Sequence, residues 1–154
     1  MTILCVCTGN TCRSPMAEAL LRRALARQGI AEVTVSSAGL AAGDEPASAH
    51  AVEAMAELGE DISAHRSRPV TPALCAQTDV FAVMTPAHAA ALMTRFGVPP
   101  EKIAVLGSGI PDPYGGTLDD YRRTRDALAQ AADELTTIIA AEKSAAIKKE
   151  EPSV

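Results

Sequence analysis

The 154-residue chain is 47% hydrophobic and 21% charged, with a net charge of −5. This is the balance of one soluble globular domain, not of a disordered, collagenous or coiled-coil chain. The acidic charge and only four rings (Phe81, Phe96, Tyr114, Tyr121, no Trp) argue against a nucleic-acid partner and leave no stacking platform for single strands. In chain order, residues 2–6 form a short apolar run that predicts a buried strand ending at Cys7. Loop chemistry follows at 8–13. Ser14 then suits an N-cap and Pro15 a first helical position. Ala17, Leu20, Leu21, Ala24 and Leu25 recur at helical spacing, and Gly29 stops the helix. Residues 31–37 predict a second strand. A helix is expected from about Ser48 to Gly59, with Val52, Met55 and Ala56 facing inward, and a short one over 71–77.

Residues 79–84 predict a third strand, Pro86 opens a helix that ends before Gly97, and 102–106 predict a fourth strand. After a Gly/Pro-rich loop, Thr117 and Asp120 form a capping-box pattern. The last helix carries Tyr121, Thr124, Leu128, Ala131, Leu135 and Ile138 on one face. From about Lys143 the period is lost, so a single domain over 1–142 and a disordered tail over 143–154 are expected. Strands alternating with helices predict a small doubly wound α/β fold, a four-stranded parallel sheet with helices on both faces. Such sheets bind ligands beyond the carboxyl ends of their strands, which is where Cys7 falls.

The loop Cys7-Thr8-Gly9-Asn10-Thr11-Cys12-Arg13-Ser14 carries the chemistry. A loop wound onto a helix N-terminus aims several backbone N–H groups at one point and makes an anion site. A sulfur in that ring feels positive potential, which favours the nucleophilic thiolate. Arg13 offers a planar fork for two phosphoryl oxygens. Gly9 permits close backbone approach, Asn10 tolerates a left-handed turn, and the Ser14 hydroxyl can stabilise the sulfur as a leaving group. A bare Cys-x5-Arg spacing also fits an inert strand-end Cys and a capping Arg. The flanking strand, the Gly-Asn pair and the Ser-Pro helix start favour the catalytic reading. Asp112, stiffened between Pro111 and Pro113 past the fourth strand, is the candidate acid for a leaving group.

The four cysteines, Cys5, Cys7, Cys12 and Cys75, make no disulfide framework. No signal-peptide pattern or span of about 18 apolar residues is visible, so a cytoplasmic, membrane-free protein is expected. Cys5 and Cys7 lack a neighbouring His for a tetrahedral metal site, and Cys-x-x-Cys is absent. No metal and no cofactor are expected. His65 and the arginines 66 and 68 are candidates for a pocket rim. His50 and His88 carry no functional argument.

The segments VCTGNTCRSP and, about a hundred residues later, DPYGG resemble the low-molecular-weight protein-tyrosine-phosphatase family over nearly the whole chain, to about residue 142. The resemblance implies a phosphocysteine intermediate on Cys7, phosphate held by Thr8, Gly9, Asn10, Thr11, Cys12 and Arg13, and Asp112 acting as acid and then base. It implies supporting hydrogen bonds from Asn10, Ser14 and Ser37, with phosphorylated proteins as substrates and a monomeric state. CTGNTCRSPMAEAL is more similar to the bacterial protein-arginine-phosphatase branch, because many tyrosine-specific members carry Ile at the position of Thr11. A polar Thr11 and the Asp112 carboxylate suit a cationic guanidinium better than an aryl ring. Tyr114 stands where that branch is expected to carry Phe. The alternative is a protein-tyrosine phosphatase. Arsenate reductase is disfavoured because the two relay cysteines after the third strand are missing, and a non-catalytic phosphate-binding or redox module because Cys7, Arg13 and Asp112 are all present. Family members with both loop cysteines also imply a reversible Cys7–Cys12 disulfide that guards the nucleophile.

Overall fold

A computed structural model describes residues 1–150; positions 151–154 of the expected tail lie outside the described residues. Four parallel strands, β1 (Thr2–Cys7), β2 (Thr34–Gly39), β3 (Val80–Val83) and β4 (Ile103–Val105), stand in the order β2-β1-β3-β4. Between and after them run α1 (Arg13–Arg27), α2 (Ala49–Ala56), α3 (Pro72–Gln77), α4 (Pro86–Phe96) and α5 (Leu118–Glu150). The two-residue period of β1 sends Ile3, Cys5 and Cys7 to one face, against α1, α2 and α5, and Leu4 and Val6 to the other, against α4. Burial on both faces explains why the strand sequences are apolar runs rather than alternating ones. The chain leaves β1 toward β2, then crosses back to β3 on the other side of β1. The switch point therefore lies beside the carboxyl end of β1, and the crevice opens just past Cys7.

Side-chain caps open three helices. Thr71 Oγ1 accepts from Leu74 N at 3.1 Å and Thr85 Oγ1 from His88 N at 3.3 Å. Thr117 and Asp120 form the reciprocal box, at 3.2 and 2.9 Å. Gly97 ends α4 in the left-handed conformation, φ 64°.

Several expectations need correction. α1 begins at Arg13, with Cys12 at the N-cap position and no side-chain cap. Ser14 and Pro15 thus lie inside the first turn, where proline's missing N–H is still harmless. β2 runs from 34 to 39 rather than 31 to 37. Glu32 turns with φ 64°, and the strand's end is extended by pairing Gly39 with Cys7. In α2 Ala51, Ala54 and Met55 are buried, whereas Val52 is half-buried and Ala56 exposed. On α5, Ile139 is buried and Ile138 exposed, because the 3.6-residue period places the position after Leu135 four residues on. α5 also continues to Glu150 rather than ending near 142. Its last turns bury nothing and rest on the helix propensity of Ala, Lys and Glu.

Candidate active site

Cys7 is the last residue of β1 and is buried beneath the loop 8–12. Its Sγ lies 2.9 Å from Ser14 Oγ and accepts the Asn10 backbone N–H at 3.3 Å. The Ser14 hydroxyl is thus turned to the sulfur instead of capping the helix. With no cap, the first-turn N–H groups of α1 stay directed at the crevice, together with the positive end of the helix dipole. That is an anion cradle with a sulfur at its floor.

Asn10 locks the loop. It is fully buried with φ 57°, a region Asn reaches more readily than most residues. Its Nδ2 donates to Ser14 Oγ at 2.7 Å, and its Oδ1 accepts from Arg68 N at 3.0 Å. Its carbonyl accepts the His65 Nε2–H at 2.7 Å. Glycine would allow the turn but none of the side-chain bonds.

Gly39 supports the loop from the β2 side. A Cβ there would lie 2.5 Å from the Thr8 carbonyl oxygen and 3.0 Å from Asn10 Cβ. Its absence lets Leu40 N and Ala41 N reach the carbonyls of Cys7 and Thr8, at 3.0 and 2.9 Å.

Arg13 is 5% exposed. Its Nη1 donates to the Ile110 carbonyl at 2.9 Å and its Nη2 lies 3.6 Å from Asp112 Oδ2. The guanidinium therefore ties the Cys7 loop to the loop after β4, about a hundred residues away. Asp112 is half exposed at the cleft mouth, and its Oδ1 accepts the Tyr114 N–H at 3.1 Å. Tyr114 is 77% exposed and forms an outer wall. The cleft, of about 280 Å³, is lined by Cys7 through Arg13, Asp112 and Tyr114, and by Ala41, Gly43 and Glu45.

Cys12 is buried but turned from the sulfur of Cys7 toward α5. Its Sγ lies 3.3 Å from the Tyr121 hydroxyl and 3.4 Å from Ser48 Oγ. Burial, then the bond to Cys12, pushes the Tyr121 phenol up to about 12. Thr11 presents Oγ1 3.7 Å from Cys12 Sγ at the cleft wall. Burial pushes the Cys5 thiol well above its ordinary value. Among the described residues no group of three or more His, Cys, Asp or Glu is arranged to hold a metal ion.

The structure brings together all the expected residues except Ser37. Its Oγ is buried without a partner, and only its carbonyl is used, by Arg68 Nε at 3.0 Å. Ser37 pairs in register with Cys5, two residues before the nucleophile, and so shares its sheet face, but its hydroxyl makes no hydrogen bond to the loop. His65 and Arg68 do not line the cleft but brace Asn10 from behind, and Arg66 pairs with Asp44 at 2.9 Å. Glu45 and Gly39 were missed: neither stands in a motif, and only the fold of the 39–46 loop over the cleft reveals them.

Comparison with known proteins gives a consistent picture. The family model described as low molecular weight phosphotyrosine protein phosphatase matches residues 2–151. A protein-arginine-phosphatase of Bacillus subtilis (strain 168) is 41% identical over 143 residues, covering 88% of this chain and 94% of the relative. A probable low molecular weight protein-tyrosine-phosphatase, EpsP, of Ralstonia nicotianae is 38% identical over 137 residues, covering 86% and 91%. Among solved structures, a cysteine-to-serine mutant of the YwlE arginine phosphatase with a phosphorylated active-site serine superposes with a TM-score of 0.85. It is 38% identical, covering 91% of this chain and 96% of that one.

Proposed function

The chain belongs to the low molecular weight phosphotyrosine protein phosphatase family, and we propose that it hydrolyses phosphoarginine on proteins through a phosphocysteine on Cys7. The observation that carries the mechanism is the sulfur at the floor of an uncapped helix N-terminus, with Arg13 bridging to Asp112. The phosphoryl group docks on the open loop N–H groups, and Arg13 turns its fork to two of its oxygens. The Cys7 thiolate attacks phosphorus as the P–N bond of phosphoarginine breaks, and Asp112 donates its proton to the departing nitrogen. In the second step Asp112, now a carboxylate, takes a proton from water, whose oxygen attacks phosphorus. The S–P bond breaks, and the returning thiolate is stabilised by Ser14 Oγ and Asn10 N–H. The relative whose active-site serine carries phosphate supports transfer to this position of the loop.

The substrate reading rests on the polar wall. Thr11 presents a hydroxyl, and Glu45 and Asp112 add carboxylates at the mouth, where a cationic guanidinium is favoured over an aryl ring. A protein-arginine-phosphatase among the relatives points the same way. Hydrolysis of para-nitrophenyl phosphate is expected to vanish in Cys7→Ser. The substrate is tested by kcat/KM on phosphoarginine and phosphotyrosine peptides, for the wild type and Thr11→Ile. Preference for phosphotyrosine, unchanged by Thr11→Ile, refutes the arginine reading.

The redox reading assigns Cys12 as the partner of Cys7 in a reversible disulfide. Both are free thiols here. A cytoplasmic setting and a monomeric state complete the reading; four unpaired cysteines suit a reducing compartment, and sedimentation equilibrium tests the monomer.

A further inference from the structure

His88, which no step above uses, sits in the first turn of α4, beside the cleft and on the far side of Cys7 from β2. Its imidazole is 5% exposed. Nε2 lies 3.0 Å from Thr8 Oγ1, whereas Nδ1 is buried with no hydrogen-bond partner. Burial and, after it, the charge of Arg13 hold the imidazole below its ordinary value, with Asp112 opposing, which favours the neutral ring. Of the two neutral tautomers, one strands a buried N–H at Nδ1 and the other only a lone pair. The stranded N–H is the rarer and costlier defect. The proton therefore belongs on Nε2, which donates to Thr8 Oγ1.

We propose that His88 is a positioning residue that pins the Thr8 hydroxyl at the cleft wall and makes it a specificity element for the guanidinium. A threonine hydroxyl has one donor and two acceptor sites. His88 uses one acceptor, so one lone pair and the O–H proton remain for the exposed, cleft-lining side. A phosphorylated guanidinium carries N–H donors next to the P–N bond, and an aryl phosphate has none there. Without His88, rotation about χ1 brings the Thr8 methyl group into the place of the hydroxyl. The inference rests on the phosphoarginine reading of this cleft.

The stranded Nδ1 separates this role from a structural one. His88→Met fills a similar volume and removes an unpaired polar atom, so it leaves the melting temperature unchanged or higher. It is expected to lower kcat/KM on a phosphoarginine peptide about three- to tenfold, the worth of one neutral hydrogen bond. The loss falls in KM more than in kcat, since the contact is made equally in ground and transition states. The fall on a phosphotyrosine peptide is smaller. His88→Gln, which keeps an amide donor near the Nε2 position, restores much of the loss. Thr8→Val mimics His88→Met, and the double variant is no worse than either single one. Additive losses in the double variant, or equal losses on both peptides, overturn the proposal. A wild type that prefers phosphotyrosine refutes the substrate reading instead. The pairing is then judged on the coupling alone, additive losses overturning it and non-additive losses supporting it.

Discussion

Replacing Gly39 by alanine tests how far the nucleophile loop depends on a close approach from β2. The added methyl would meet the Thr8 carbonyl oxygen at 2.5 Å, Ala42 Cβ at 2.9 Å and Asn10 Cβ at 3.0 Å. None of these is the end of a flexible side chain, so no rotamer change relieves the clash. Moving the Thr8 carbonyl from 2.5 Å out to ordinary contact at 3.4 Å requires a shift of about 0.9 Å. Gly39 has no positive φ, so the cost is steric rather than conformational. Overpacking of this kind costs about 1–3 kcal/mol, which lowers the melting temperature of a chain this size by roughly 3–10 °C. The loop that must yield carries the phosphate cradle, and a misplacement of about 1 Å can cost about 100-fold in rate. We expect Gly39→Ala to fold but to lose most of its kcat/KM on para-nitrophenyl phosphate, read together with calorimetric melting. A variant with wild-type melting and kcat/KM within twofold would refute the steric argument.

Asp112→Ala is expected to lower kcat about 10²- to 10⁴-fold, the usual worth of a general acid. Inhibition by inorganic phosphate should persist, because Arg13 and the loop N–H groups remain; a parallel loss of phosphate affinity contradicts the acid role. Glu57, held by Arg122 and Arg125, has its carboxyl lowered to about 2. A depressed carboxyl adds stability above its unfolded value of 4.5, and this is lost as pH falls through about 2. The melting temperature of Glu57→Gln should therefore lie below that of the wild type at pH 6, with the gap closing toward pH 2; a pH-independent gap rules out the charge clamp between α2 and α5. Tyr121→Phe removes the hydroxyl 3.3 Å from Cys12 Sγ and is expected to speed peroxide-driven Cys7–Cys12 disulfide formation, followed by thiol counting and mass; an unchanged rate means that Tyr121 does not restrain Cys12.

Much of this protein is legible from local rules. The apolar runs, Pro86 at a helix start, the short helical stretch over 71–77 and the Thr117–Asp120 box act within a few residues, so sequence alone places β1, β3, α3, α4 and the start of α5. The loop from Cys7 to Ser14 is equally local: a strand end, a left-handed Asn and a helix start already imply an anion site with a sulfur in it. Only the tertiary structure decided which residues meet that loop from a distance. Strand order brings Gly39 against the loop, and the segment after it carries Glu45 to the cleft. The packing of α4 on the sheet delivers His88 to Thr8, and the crossing of the 65–68 segment behind Asn10 supplies its last two hydrogen bonds. Ser37, conversely, shares the sheet face of Cys5 and Cys7, yet its hydroxyl finds no partner in the loop. Periodicity reports which face of an element is apolar. It cannot report which other element that face will meet, because that contact is set by the packing of the whole chain.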